Sequence, residues 1–115
     1  GAHTDWGSFT ILATDQTPGL QIYMEPEQEW LDVPPKPDCL IINAGDQIGI
    51  LTNHTYKSAL HRVLTTSRKP RYSTAVFTYF GMNAQFDALP EFSCNDDEEK
   101  KQETRTTRAY FHFKL

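Results

Sequence analysis

The apolar residues of this chain fall into short, strand-length runs separated by turn-forming residues, and that spacing limits the architecture more than any other feature. Ser8–Thr14 is rich in Phe, Ile, Leu and Thr. Pro18-Gly19 turns the chain before Leu20–Met24, and the polar stretch Glu25–Glu29 leads into Trp30–Val33. Cys39–Asn43, Ile48–Thr52, Leu60–Thr65 and Tyr72–Phe80 follow, with Ala44-Gly45-Asp46 and Ser67-Arg68-Lys69-Pro70 as turn signals. Many short runs of β-branched and aromatic residues at regular spacing predict a mostly β fold, a sandwich or jelly roll. Pro34, Pro35 and Pro37 would break a ladder and belong in a connection or at a sheet edge. The tail differs: Asn95–Lys101 is a charge run with its acids first, and Lys, Arg and apolar residues come after. That order predicts a C-terminal helix from about Glu99, packed through Tyr110, Phe111, Phe113 and Leu115.

At 115 residues the chain makes one domain (1–115) with a modest core. Its net charge of −4 comes without any basic stripe, which argues against nucleic acid and anionic membrane as partners. The longest mainly apolar stretch, Cys39–Ile42, is far too short to cross a bilayer. No secretory signal pattern is present, and neither Cys39 nor Cys94 belongs to a C-x-x-C pair. Two reduced thiols in a cytoplasmic protein is the simpler expectation. The first ligand-type side chain stands at position 3, where a natural terminus would fray, so the chain is expected to be a fragment, a processed product or a gene product that has lost its front half.

Three residues point to chemistry. In an extended segment, side chains at i and i+2 share a face, so His3 and Asp5 aim into one pocket while Thr4 and Trp6 point away. In His61-Arg62-Val63 the same alternation puts His61 and Val63 on one side. Two imidazoles and one carboxylate can hold one face of an octahedral Fe(II) and leave the other open; zinc accepts the same set. Further along, Arg71 and Ser73 share a face and offer a guanidinium fork and a hydroxyl to a carboxylate. Beside a metal, that pair suits a dicarboxylate chelating the ion at one end and clamped at the other. Phe77 and Tyr79 continue this face and are candidates for a substrate pocket or for core filling. Asp46 and His54 read as turn residues, and His112 as a packing histidine on an aromatic helix face.

The text around these positions resembles the C-terminal catalytic half of the 2-oxoglutarate- and Fe(II)-dependent dioxygenases related to isopenicillin N synthase. The resemblance runs through His3-Thr4-Asp5-Trp6-Gly7, Gly19-Leu20-Gln21-Ile22 and Trp30-Leu31-Asp32-Val33-Pro34. It continues through Ile42-Asn43-Ala44-Gly45-Asp46, Leu51-Thr52-Asn53, Tyr56-Lys57-Ser58, His61-Arg62-Val63 and Arg71-Tyr72-Ser73-Thr74-Ala75-Val76-Phe77, with Leu89-Pro90-Glu91-Phe92 later. It implies a double-stranded β-helix (jelly roll), His3, Asp5 and His61 as iron ligands, and Arg71 and Ser73 as binders of the distal 2-oxoglutarate carboxylate. Members usually carry a longer N-terminal region and at least one more barrel strand before the first ligand. Without them the barrel is expected to be incomplete at its N-terminal side, with an exposed edge open to self-association. Asn53-His54 stands where the family commonly shows Asn-Gly in a turn wanting positive φ.

The resemblance therefore implies an enzyme using Fe(II), 2-oxoglutarate and dioxygen to oxidise a small organic metabolite, hydroxylation being the default, with release of succinate and CO2. Two alternatives stand beside it. A related Fe(II) oxidase would use the Arg-x-Ser pair to hold a substrate carboxylate instead. A non-catalytic remnant would bind metal or another protein without turnover. A cupin-like zinc or manganese enzyme ranks lower, because the His-x-His pair common there is missing.

Overall fold

The computed structural model of the protein describes residues 1–65, 68–92 and 105–115. Its elements are β1 (Phe9–Thr14), β2 (Leu20–Met24), β3 (Glu29–Asp32), β4 (Ile41–Ala44), α1 (Asp46–Leu51), β5 (His61–Val63), β6 (Ser73–Phe77), β7 (Gln85–Phe86), β8 (Arg105–Thr106) and α2 (Thr107–Lys114). A single 3-10 turn covers Pro90–Phe92. Two three-stranded antiparallel sheets, ordered β4-β1-β6 and β3-β2-β5, carry the architecture. The hairpin-like pair β7-β8 stands apart from both.

Strand alternation decides what faces what. In the first sheet Thr10 and Leu12 of β1, Ile41 and Asn43 of β4, and Ser73, Ala75 and Phe77 of β6 point to one cavity. Leu20 and Ile22 of β2 and His61 and Val63 of β5 line it from the second sheet. The second sheet's outer face is a polar ladder. The Arg62 Nε donates to Gln21 Oε1 at 2.9 Å, Gln21 Nε2 donates to Asp32 Oδ1 at 2.9 Å, and the Arg62 guanidinium lies 3.9 Å from the Trp30 ring centroid. That ladder fixes register, because a one-residue slip would turn Arg62 into the cavity.

Ile48–Thr52, expected as a strand, forms most of α1 instead. Its β-branched alternation is overridden by backbone demand at the helix start. The N–H groups of Gly45, Asp46 and Gln47 donate to the carbonyls of Ser8, Asp5 and Gly7 at 2.7, 2.7 and 3.0 Å. Helical turning is what aims consecutive N–H groups at one neighbouring segment. Gly45 permits the approach, since a Cβ there would stand 2.3 Å from the Gly7 carbonyl oxygen. Asn53 and His54 end the helix with φ of 44° and 60°, the positive-φ turn anticipated for them.

The C-terminal helix is present but shorter than expected. It starts at Thr107, after Arg105–Thr106 has paired with Gln85–Phe86, and positions 99–104 of the anticipated span lie outside the described residues. Thr106 caps it by accepting from the Ala109 N–H at 3.2 Å. Two turns present a single stripe, in which Thr107 and Tyr110 are buried and Lys114 is partly so. Phe113 and Leu115, expected to pack, are 74% and 92% exposed, and His112 faces solvent. Among the described residues no helix is long and apolar enough to cross a membrane.

Candidate metal centre

The first ligand-type residue reaches its place through the backbone. His3 forms an isolated antiparallel bridge with His61, each N–H donating to the other's carbonyl at 3.0 Å. That bridge extends the second sheet by one residue beyond β5 and brings the two imidazoles together, with ring centroids 4.4 Å apart and planes tilted by 55°. Asp5 follows two positions later, and its backbone carbonyl is the one held by Asp46 N–H.

The side chains converge. Asp5 Oδ1 lies 3.7 Å from His3 Nε2 and 3.8 Å from His61 Nε2. The three ligand atoms all lie within 4.8 Å of one another, a grouping that could hold one metal ion. Tautomers are set by the neighbouring carbonyls: His3 Nδ1 lies 3.0 Å from the Gly1 oxygen and His61 Nδ1 lies 2.9 Å from the Ala59 oxygen. A carbonyl can only accept, so Nδ1 carries the proton and each Nε2 presents a lone pair to the shared point. Asp5 is 5% exposed, and its Oδ1 faces the two imidazole Nε2 atoms rather than water. Burial of that kind is costly unless a cation compensates it. The donor set therefore fits a divalent metal.

The cavity beside the triad has a volume of about 180 Å³ and apolar walls that include Leu12, Leu20, Ile22 and Val63. Arg71 and Ser73 both open onto it, with Arg71 Nη1 donating to Ser73 Oγ at 3.2 Å. Arg71 Nε is buried and lacks a hydrogen-bond acceptor. A guanidinium N–H left unpaired out of water asks for an anionic acceptor. Arg71 precedes β6 rather than lying within it, and the turn is held by Asp15, whose Oδ2 accepts from Tyr72 N–H at 2.8 Å and whose Oδ1 accepts from Thr17 N–H at 2.8 Å. Those backbone donors, the Tyr72 one foremost, hold the Asp15 carboxyl below its ordinary value, with the nearby Arg71 charge adding to the effect.

Comparison with known proteins agrees with this chemistry. The model of the 2OG-Fe(II) oxygenase superfamily matches residues 1–79. The chain belongs to that superfamily. Among the curated relatives, clavatol oxidase of Penicillium crustosum is 36% identical over 115 residues, which is 100% of this chain and 33% of that protein. A solved 2OG-Fe(II) oxygenase family protein from Caulobacter crescentus superposes with a TM-score of 0.89 at 30% identity, covering 100% of this chain and 39% of the other. The structure of JOX2 in complex with 2OG, Fe and JA superposes with a TM-score of 0.86 at 36% identity, over 98% of this chain and 33% of that one. The chain thus spans about a third of the length of the curated relatives it matches.

Within this superfamily member, Phe77 stands on the cavity wall with His3, Asp5 and His61. Tyr79 does not; it lies past the end of β6, its ring 5.0 Å from Phe111 in an edge contact with α2. Two residues in the cavity escaped the sequence-based expectation altogether. Thr10 Oγ1 donates to Asp5 Oδ2 at 2.6 Å, and Asn43 Nδ2 donates to the same oxygen at 2.9 Å. For Thr10 the only signal in the sequence is polarity at an inward position of an otherwise apolar strand face; Asn43 lies within the Ile42–Asp46 stretch of the family resemblance but carried no role of its own.

Proposed function

We propose that the chain is the catalytic part of a dioxygenase that uses Fe(II) and 2-oxoglutarate to oxidise a small organic molecule, by default through hydroxylation, with release of succinate and CO2. One observation carries the reading: His3, Asp5 and His61 come together in a cavity also lined by Arg71, whose Nε lacks an acceptor. The reading includes completion of the two sheets into a double-stranded β-helix by chain supplied beyond this segment, as the one-third coverage of the relatives suggests.

Bound at the triad, Fe(II) supplies Lewis acidity and the redox chemistry of dioxygen. Everything else falls to side chains. His3 and His61 give neutral Nε2 donors, and Asp5 gives the single negative charge, so the protein's share of ligands leaves one face for co-substrates. Arg71 and Ser73 bind the distal carboxylate of 2-oxoglutarate, the fork supplying two directed N–H bonds and the hydroxyl a third. Leu12, Leu20, Ile22 and Val63 keep water from that carboxylate, which strengthens the charge-assisted bonds. Phe77 forms part of the wall against which the organic substrate lies. Overall, 2-oxoglutarate and dioxygen yield succinate and CO2, and one oxygen atom enters the substrate.

The test is anaerobic titration of the purified chain with Fe(II) and then 2-oxoglutarate, watched for the weak visible charge-transfer band of the chelate, followed by oxygenation and succinate assay. A band and succinate release are expected. A folded chain that binds Fe(II) without the band on adding 2-oxoglutarate would move the assignment to the metal-binding remnant.

A further inference from the structure

We propose that Thr10 and Asn43 are positioning residues that make Asp5 a one-oxygen ligand. The inference rests on the metal reading above and concerns how that site is tuned. Asp5 presents two oxygens, and the structure treats them differently. Oδ2 accepts from Thr10 Oγ1 at 2.6 Å and from Asn43 Nδ2 at 2.9 Å, whereas Oδ1 is the oxygen 3.7 and 3.8 Å from the two imidazole Nε2 atoms. Two donors on Oδ2 take its accessible lone pairs and pin the carboxylate plane. Oδ1 alone is then presented to an ion.

Geometry gives the pair authority over Asp5. Thr10 lies on β1 and is 5% exposed, as is Asp5, so its hydroxyl has no water to turn toward. Asn43 lies on β4 directly opposite Thr10 in the ladder, so the two donors come from paired strands and move as one unit. The Asn43 amide is oriented with nitrogen toward the carboxylate, the only sense in which the contact is attractive. Each side chain donates to an oxygen of the ligand carboxylate, so its part is to hold Asp5. Without them Asp5 is free to rotate and close on the metal with both oxygens, taking a position that a co-substrate needs.

Co(II) serves as a probe that binds the same donor types without turning over with oxygen. Equilibrium titration and the visible d–d spectrum are measured on the full chain and on Thr10→Val, Thr10→Ser, Asn43→Leu and His61→Ala. Thr10→Val and Asn43→Leu are expected to weaken Co(II) binding by roughly 10- to 100-fold, the range for supporting partners of metal ligands. Both are also expected to shift and reshape the d–d band as the carboxylate changes its mode of attachment, while Thr10→Ser keeps the wild-type affinity and band. Far-UV circular dichroism of the metal-free proteins checks that each is folded. If Thr10→Val fails to fold, Asn43→Leu and Thr10→Ser carry the test, because one removes a donor and the other retains it. Wild-type affinity and an unchanged band in a folded Asn43→Leu would overturn the proposal. Equal Co(II) binding by wild type and His61→Ala would overturn the metal reading itself, which separates the two failures.

Discussion

In the proposed function, Arg71 is the residue on which the choice of co-substrate would turn. Its Nε is buried without an acceptor, and its Nη1 already reaches Ser73 Oγ at 3.2 Å, so a carboxylate arriving there finds a fork and a hydroxyl in place. Charge-assisted hydrogen bonds contribute about 1.5–3 kcal/mol each. Arg71→Ala is therefore expected to raise the Kd for 2-oxoglutarate by roughly 10- to 100-fold while leaving metal affinity as it was. Arg71→Lys keeps the charge but loses the fork, and falls between them. Competition binding with succinate and 2-oxoglutarate reads this directly; a wild-type Kd in Arg71→Ala would show that another group holds the dicarboxylate. Arg71, Ser73 and the triad were legible because each belongs to a short spaced motif whose chemistry has few other uses. Thr10 was not, since a lone polar residue inside an apolar alternation looks the same whether it faces a cavity or solvent, and Asn43, though part of a matching motif, carried no role of its own there.

Among the elements, α2 is joined to the ligand segment through one carboxylate. Asp46 accepts from Tyr110 Oη at 2.8 Å and from Lys114 Nζ at 2.9 Å, while its own N–H holds the Asp5 carbonyl at 2.7 Å. Burial alone would raise the Asp46 carboxyl, but the Lys114 and Tyr110 hydrogen bonds and the ammonium charge outweigh it and leave it below the ordinary value. Tyr110 is pushed the other way, upward, by its own burial and by donating to that carboxylate. A carboxyl whose folded pKa lies below its unfolded one stabilises the fold above the unfolded value, near 3.9, and that stability is lost as pH falls through the folded value. Acid titration followed by Trp and Tyr fluorescence is thus expected to show loosening of α2 below about pH 4. Asp46→Asn is expected to lose that acid-sensitive stability and to be destabilised at neutral pH by about 1–3 kcal/mol. An unaltered acid transition in Asp46→Asn would mean that other carboxyls govern it. None of this coupling was legible in the sequence, where Asp46 read only as a turn residue and Ile48–Thr52 as a strand. The β strands were legible because their period of two is local. In α1 the shape is dictated instead by the carbonyls of a segment some forty positions away in the chain, those of Asp5, Gly7 and Ser8.

At the scale of the molecule, the chain holds few resources for stability apart from its candidate metal site. Among the described residues only Leu20, Phe86 and Tyr110 are buried hydrophobics. The radius of gyration is 16.3 Å, against about 13 Å for a compact chain of this length. The outer face of the β4-β1-β6 sheet leaves Phe9, Ile42 and Val76 44%, 62% and 53% exposed. Two sheets joined by so small a core gain disproportionately from any tie between distant segments. A metal held by the candidate triad would be such a tie, linking His3 and Asp5 at the start of the chain to His61 in the middle, two segments that among the described residues share a single two-bond backbone bridge. A metal that binds the folded form alone stabilises it by RT ln(1 + [L]/Kd), about 2.7 kcal/mol when free ion stands at 100 times Kd. For a domain of this size that corresponds to a rise in Tm on the order of 10 °C. Thermal melts with Co(II) at that excess, and again with EDTA, are expected to differ by this amount in wild type and hardly at all in His61→Ala. Equal melting temperatures in the two conditions would mean that the ion does not bridge these segments. The sheets would then have to draw their stability from chain packed on the outer face of β1, β4 and β6.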